Sequence, residues 1–219
     1  MNLSVLHRVH LAWIRGAAKY SLDIVVPPGR AGMEPKLTVE YNSNGGNGYL
    51  GKGWGIGGLS VIGRCPRTKA VDGYIKGVDF NNDAYCLDGG TEYRTQKDNY
   101  AKVVAYADNG HGPEYWRVWT KSGLVYEYGN TADSRVVIGN LDEKYRALPA
   151  DQAAISWAVN KITDRTADGN AINFIYNNAG ENERYIKEID YTGGKVVFTY
   201  MPRNPQITGY MYGRSYKLT

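Results

Sequence analysis

The 219-residue chain carries 26 lysines and arginines against 22 acidic residues, a net charge of +4. Those basic residues are scattered and form no run, which argues against a nucleic-acid surface, and no stretch is apolar for long enough to form a transmembrane helix. With 42% hydrophobic residues the composition is that of one large domain or two small ones, able to bury a core without metals or disulfides.

Residues 1–15, MNLSVLHRVHLAWIR, do not form a good signal peptide. His7, Arg8 and His10 interrupt the apolar region, and no small-residue cleavage site follows clearly. Leu3, Leu6, Val9 and Trp13 could share one face of a short helix, but the expectation is a loosely attached leader. Residues 20–26, YSLDIVV, alternate, with Tyr20, Leu22, Ile24 and Val26 pointing one way. Pro27, Pro28 and Gly29 end that strand, because proline brings no amide hydrogen to a ladder and glycine supplies the turn. Residues 36–42 alternate again, with Leu37, Val39 and Tyr41 inward.

Residues 41–58 read YNSNGGNGYLGKGWGIGG, with eight glycines among eighteen residues. Gly46 to Lys52 fits the spacing of a P-loop, but the Ser or Thr that would hold magnesium is Gly53. Gly53 to Gly58 fits G-x-G-x-x-G. Both motifs need a helix directly after the glycines, whose N-terminus holds the phosphate. Residues 59–66, LSVIGRCP, read instead as a short strand and a turn, so the run is expected to shape a sheet. Arg64, Arg67 and Lys69 read as a solvated turn. Cys65 and Cys86 show no metal-site spacing. They could pair in an oxidising compartment, but two ordinary buried thiols are the expectation.

Residues 114–120 and 123–128 flank a tight Lys121-Ser122-Gly123 turn and form a hairpin. Residues 171–176, 184–191 and 195–200 make three further strands joined by Asn- and Gly-bearing turns. Nineteen tyrosines and five tryptophans suit half-buried, twisted sheets. Helix is nearly absent, and its best candidate is residues 149–155, overlapping the end of the polar stretch 139–153. The fold class is therefore all-β: an antiparallel curved sheet or β-sandwich-like segment.

The search for chemistry finds little. Of three histidines, two lie in the leader and His111 lies in a loop without a nucleophile beside it. Asp79, Asn81 and Asp83 have the opening spacing of a calcium loop, but Ala84 and Gly90 stand where glycine and glutamate are required. Asp164 to Gly169 fails similarly. Glu181 and Glu183 form an E-x-E pair of the kind used by arginine-directed ADP-ribosyltransferases, without a nicotinamide-pocket signature upstream. No catalytic, cofactor or metal residue is assigned. Trp116 and Trp119 point to opposite faces of one strand, so one of them could be an exposed platform for carbohydrate.

The order Gly16-Ala-Ala-Lys-Tyr20, Val26-Pro-Pro-Gly29, Pro35-Lys-Leu37, Tyr41-Asn-Ser43, Gly46-Asn-Gly48, Leu50-Gly51-Lys-Gly53-Trp54, Gly58-Leu-Ser60 and Ile62-Gly-Arg64 resembles the SpvB-type N-terminal domain. That domain occurs in virulence-plasmid toxins and in insecticidal toxin-complex B proteins. The resemblance continues through Leu87-Asp-Gly89, Trp116-Arg-Val-Trp-Thr120 and Gly123 to Gly129. Residues 156–219 are similar to that family's approach to Rhs/YD-type hairpins.

The resemblance covers residues 16–219 and leaves 1–15 as a leader of uncertain order. It ends ahead of any full YD series, so a fragment of a longer protein is expected. It implies a non-enzymatic segment of a secreted bacterial toxin-delivery protein, made in the cytoplasm and acting outside it. Such a segment belongs to a β-sheet shell that encloses or presents a toxic polypeptide, and its partners are that cargo and other toxin-complex subunits. It also implies that Gly46, Gly48, Gly51, Gly53, Gly58, Tyr41, Trp54, Pro28 and Gly29 matter as geometry. The alternative is a cell-surface module that binds carbohydrate or a receptor.

Overall fold

The computed structural model describes residues 9–14, 16–78, 80, 83–88, 102–108, 110, 112–137, 153–165, 169–178, 184–201, 207–211 and 214–218. The first strands are β1 (Val9–Ile14), β2 (Ala17–Ile24), β3 (Leu37–Asn42), β4 (Asn47–Gly48), β5 (Gly51–Lys52), β6 (Trp54–Gly57), β7 (Val61–Cys65) and β8 (Ala84–Leu87). A single α-helical turn, Lys69–Asp72, stands between the last two. There follow β9 (Lys102–Asp108), β10 (Pro113–Trp119), β11 (Val125–Tyr128), β12 (Arg135–Val137), β13 (Ala154–Thr163), β14 (Ala171–Asn178), β15 (Arg184–Tyr191), β16 (Gly194–Val197), β17 (Ile207–Met211) and β18 (Arg214–Leu218).

The architecture is antiparallel and open, as the sequence predicts. One sheet has the order β1-β2-β3-β6. A ten-stranded sheet runs β16-β15-β14-β13-β11-β10-β9, with β12 and β7-β8 branching from β13. The expected alternation sets the faces. In β14, Ile172, Phe174 and Tyr176 are buried, and in β10, Trp116 and Val118 are buried. Leu37, Ile24 and Ile56 of the smaller sheet, with Val26 just past β2, join the same apolar cluster as Trp157, Ile172 and Ile189 of the larger one. The two sheets therefore share one core, in the manner of a sandwich.

The other face of the large sheet carries a row of polar and charged residues among exposed Ile175 and Val197. The register places Arg117, Glu127, Lys161, Asn173, Asp190 and Lys195 in one row across six adjacent strands. Charges of opposite sign alternate along much of that row, an arrangement that favours pairing in register.

Three expectations are corrected. Residues 9–14, expected within a loosely attached leader, are strand β1, paired with β2 from Val9↔Leu22 to Ile14↔Ala17. The helix proposed for residues 149–155 fails where it can be seen, because Ala154 and Ile155 open β13. Its earlier residues, 149–152, lie outside the described residues. Cys65 and Cys86 are joined in a disulfide, with Cα atoms 5.9 Å apart. They reach each other because β7 and β8 pair Gly63 with Cys86 and Cys65 with Ala84, which makes the two cysteines diagonal neighbours.

Candidate functional site

The glycine run begins as β3 leaves the core. Tyr20 of β2 lies opposite Tyr41 of β3, and Tyr41 lies opposite Trp54 of β6. Three aromatic residues therefore form one row across three strands. The Tyr41 and Trp54 ring centroids are 5.1 Å apart, and those of Tyr20 and Trp54 are 6.1 Å apart and edge-on. All three are half-buried, beyond the end of the shared core.

Between β3 and β6 the chain folds into the small hairpin of β4 and β5. Several backbone amides close this turn region. Asn42 donates to Gly53 O at 2.8 Å, Gly45 to Asn42 O at 2.8 Å and Gly53 to Gly46 O at 2.8 Å. Ser43 donates to Ala18 O at 2.9 Å. Gly53 has φ +79°, and a Cβ there would stand 2.6 Å from Asn42 O and 2.8 Å from the Tyr41 ring. Gly58 has φ +90°, and its Cβ would collide with Lys36 O. Both positions accept only glycine. Gly48 would collide with Trp54 O, whereas Gly46 faces open space. Gly51 lies beside Trp54 at φ +119°. No helix follows Gly58, since residues 61–65 form β7. A phosphate would find no helix start here, and Lys52 is exposed.

Pro28 and Gly29 do other work. Their turn docks on the turn between β15 and β16. Arg30 N donates to Thr192 O at 2.8 Å and the Tyr191 hydroxyl donates to Pro27 O at 2.9 Å. This contact ties the small sheet to the large one.

The hairpin, the aromatic row and the neighbouring strands enclose an open groove of 540 Å³. Its lining includes Lys19, Glu40 and Asn47 beside Tyr20, Tyr41 and Trp54. Tyr49, at the hairpin tip, reaches the large sheet by donating to Arg184 O at 3.2 Å and packs with Tyr185 and Tyr200.

His111, Glu181, Glu183, Asp79, Asn81 and Asp168 lie outside the described residues. Asp164 accepts a hydrogen bond from Asn170 Nδ2 at 2.8 Å. Among the described residues no cluster of three or more His, Cys, Asp or Glu could hold a metal, and no helix is long and apolar enough to cross a membrane. Trp116 is core, packed edge-on against Trp157 at 5.8 Å, while Trp119 is half-buried with Lys102 Nζ 5.2 Å above its ring.

One polar centre escaped the sequence reading. Arg64, expected in a solvated turn, is buried. Its Nη1 bonds Asp83 Oδ2 at 3.1 Å and its Nε donates to Ala154 O at 2.8 Å. The rings of Phe80, Tyr85 and Trp157 lie 4.8, 5.5 and 5.7 Å from its guanidinium carbon. Paired and caged in this way, the charge fixes β7 and β8 against β13 and has no open side for chemistry. Only the strand position of Arg64 could have signalled it, since Arg64 shares its face with the buried Ile62.

Comparison with known proteins agrees with this architecture. Mono(ADP-ribosyl)transferase SpvB of Salmonella typhimurium is 23% identical over 147 residues, 55% of this chain and 25% of that protein. The chain thus spans about a quarter of the length of the curated relatives it matches. Among solved structures, the N-terminal domain of effector protein SpvB from Salmonella typhimurium strain LT2 aligns with a TM-score of 0.59 at 17% identity, covering 88% of this chain and 82% of that one. The Photorhabdus luminescens Tc holotoxin pore aligns with a TM-score of 0.60 at 14% identity, covering 95% of this chain and 13% of that one. These likenesses show a shared fold. The family model of the Salmonella virulence plasmid 65kDa B protein matches residues 13–105 and 90–197, and the chain belongs to that family, SpvB.

Proposed function

We propose that this chain is a non-enzymatic wall segment of a secreted bacterial toxin-delivery protein, and that its sheets help to enclose or present a toxic polypeptide. The observation that carries this reading is the long open sheet. Seven strands run in one path from β16 to β9, apolar on the face toward the small sheet and crossed by a row of charged and polar residues on the other. A wall works by such continuity. Ladder hydrogen bonds give it stiffness, and its edges accept further strands of the same shell. Its partners are then the enclosed polypeptide and other subunits of the toxin complex, and it acts outside the cell that makes it. Its similarity in fold to the Tc holotoxin pore and to the SpvB N-terminal domain supports the reading. On this reading the strands from β1 to β18 belong to one wall domain, which takes in residues 9–14 ahead of residue 16, and the glycines of residues 46–58 serve curvature.

The test is protection. The protein that carries this chain is purified together with the toxin polypeptide it accompanies and is challenged with protease. The polypeptide should survive far longer in the complex than alone. Equal digestion in both samples would sink the containment reading.

A further inference from the structure

We infer that the loop between β7 and β8 is a membrane-surface contact, whose tip at residues 71–75 dips apolar side chains into a bilayer with anionic headgroups. The loop is pinned along its length. The Cys65–Cys86 disulfide and the β7–β8 ladder close its base. Above them Arg67 and Lys76 exchange backbone hydrogen bonds of 2.7 and 3.2 Å. The helical turn Lys69–Asp72 follows, and Gly73 ends it in the left-handed region at φ +78°. This frame holds apolar side chains in water. Val71 is 41% exposed, Tyr74 50% and Ile75 80%, three large apolar residues within five positions. Apolar residues scattered singly over a surface are ordinary, whereas a group of them marks a contact.

The charges around the tip select what it contacts. Residues 67–76 hold three cations, Arg67, Lys69 and Lys76, against one carboxylate, Asp72. That carboxylate is bound within the loop, since Arg67 Nη1 and Thr68 N each donate to it at 2.8 Å. The apolar tip is therefore set in positive charge, and its one anion is already neutralised. Anionic headgroups complement this arrangement. Lysine stems lie along apolar surface while their ammonium groups stay among the headgroups. The Tyr74 ring suits the same depth, and Val71 and Ile75 suit the acyl boundary below it. Size points the same way. A stable protein interface takes roughly 20–30 residues a side. Residues 67–76 are ten, and a fluid bilayer closes around a small apolar tip without needing a matching surface.

The inference does not rest on the wall reading, and the two fail separately, since protease protection of a cargo is measured without lipid. The 219-residue chain is sedimented with vesicles of phosphatidylcholine alone and with vesicles of phosphatidylcholine mixed equally with phosphatidylserine. Binding to the mixed vesicles is expected, with little to the neutral ones. Ile75→Ser should weaken it at least about tenfold, and Lys69→Gln about fivefold. Met201→Ser, at a side chain 85% exposed outside the loop, should leave it unchanged. All three positions are exposed, so each variant should keep the parent circular dichroism spectrum. Three results overturn the inference. One is no binding to the mixed vesicles. Another is binding that Ile75→Ser leaves intact, which would reflect overall positive charge alone. The third is a dimer of the free chain that Ile75→Ser dissociates, which would make a second copy the cover of the tip.

Discussion

The small sheet and the large sheet reach order by different means. In the large sheet, burial specifies the structure. Trp157, Ile62, Val159 and Ile189 are shielded from solvent almost completely, and β13 is flanked by neighbours along its whole length. In the small sheet, Ala17 and Leu37 are the only buried strand residues among the described side chains, and the hairpin is shaped by glycines that would clash if they carried a Cβ. One region is held by what its side chains fill, and the other by what its backbone is free to approach. The difference locates the stability in the large sheet and the adaptable surface in the small one. It also suggests how to break each region separately.

Trp157→Ala should produce the largest effect. The indole is fully buried, packs on Trp116 and Tyr85 and donates from Nε1 to Glu114 O at 3.0 Å. Truncation should cost about 3–5 kcal/mol and lower the urea midpoint of the whole β signal. A transition split into two, with the small sheet retained, would contradict the single shared core. Reducing the Cys65–Cys86 bond should act on the same region more gently. It closes 21 residues of separation, so its loss should cost about 3 kcal/mol or less, seen as a lower Tm with reductant and none in the Cys65→Ser variant.

What could be read in the sequence follows the same division. The hairpin of β10 and β11 and the meander of β14, β15 and β16 were legible because one face is buried and the turns carry glycine. Strand β13 was not. Its residues 153–160 are buried on both faces apart from Ser156, so no alternation marks it, and its partners β7 and β12 lie far away in sequence. Strand β1 was hidden by His10 within an interrupted apolar run. The disulfide was hidden because a spacing of 21 residues says nothing about register. The glycine run was legible as geometry, since no helix-forming segment follows it. The groove was not, because Tyr20, Tyr41 and Trp54 come together only when three strands are paired. Arg64 was misread because Arg67 and Lys69 nearby suggest a surface turn.

The small sheet can be tested through its glycines. Gly58→Ala should cost about 2 kcal/mol, since φ +90° and the carbonyl of Lys36 both oppose a Cβ. Gly46→Ala should stay within about 0.5 kcal/mol, because open space surrounds it. Native-state hydrogen exchange should show the Gly58→Ala loss in β3 and β6 first, with β14 and β15 protected as before. Equal loss in both sheets would mean that the two regions do not open independently.

The smallest effect lies on the charged face of the large sheet. Burial opposes ionisation of Glu127. Hydrogen bonds from Asn160, Asn130 and Arg117, with the charge of Arg117, outweigh it and hold the carboxyl below its ordinary range. A carboxyl depressed on folding adds stability in full above its unfolded pKa, about 4.3, and loses it as pH falls through the lower folded value. Arg117 is partly exposed, so the contribution should be below about 1 kcal/mol. Urea midpoints measured between neutral pH and about pH 3 should fall less in Glu127→Gln than in the parent protein. Parallel curves would show that the row across β10, β11 and β13 is solvated and contributes nothing to holding the sheet. The core face alone would then keep the strands in register.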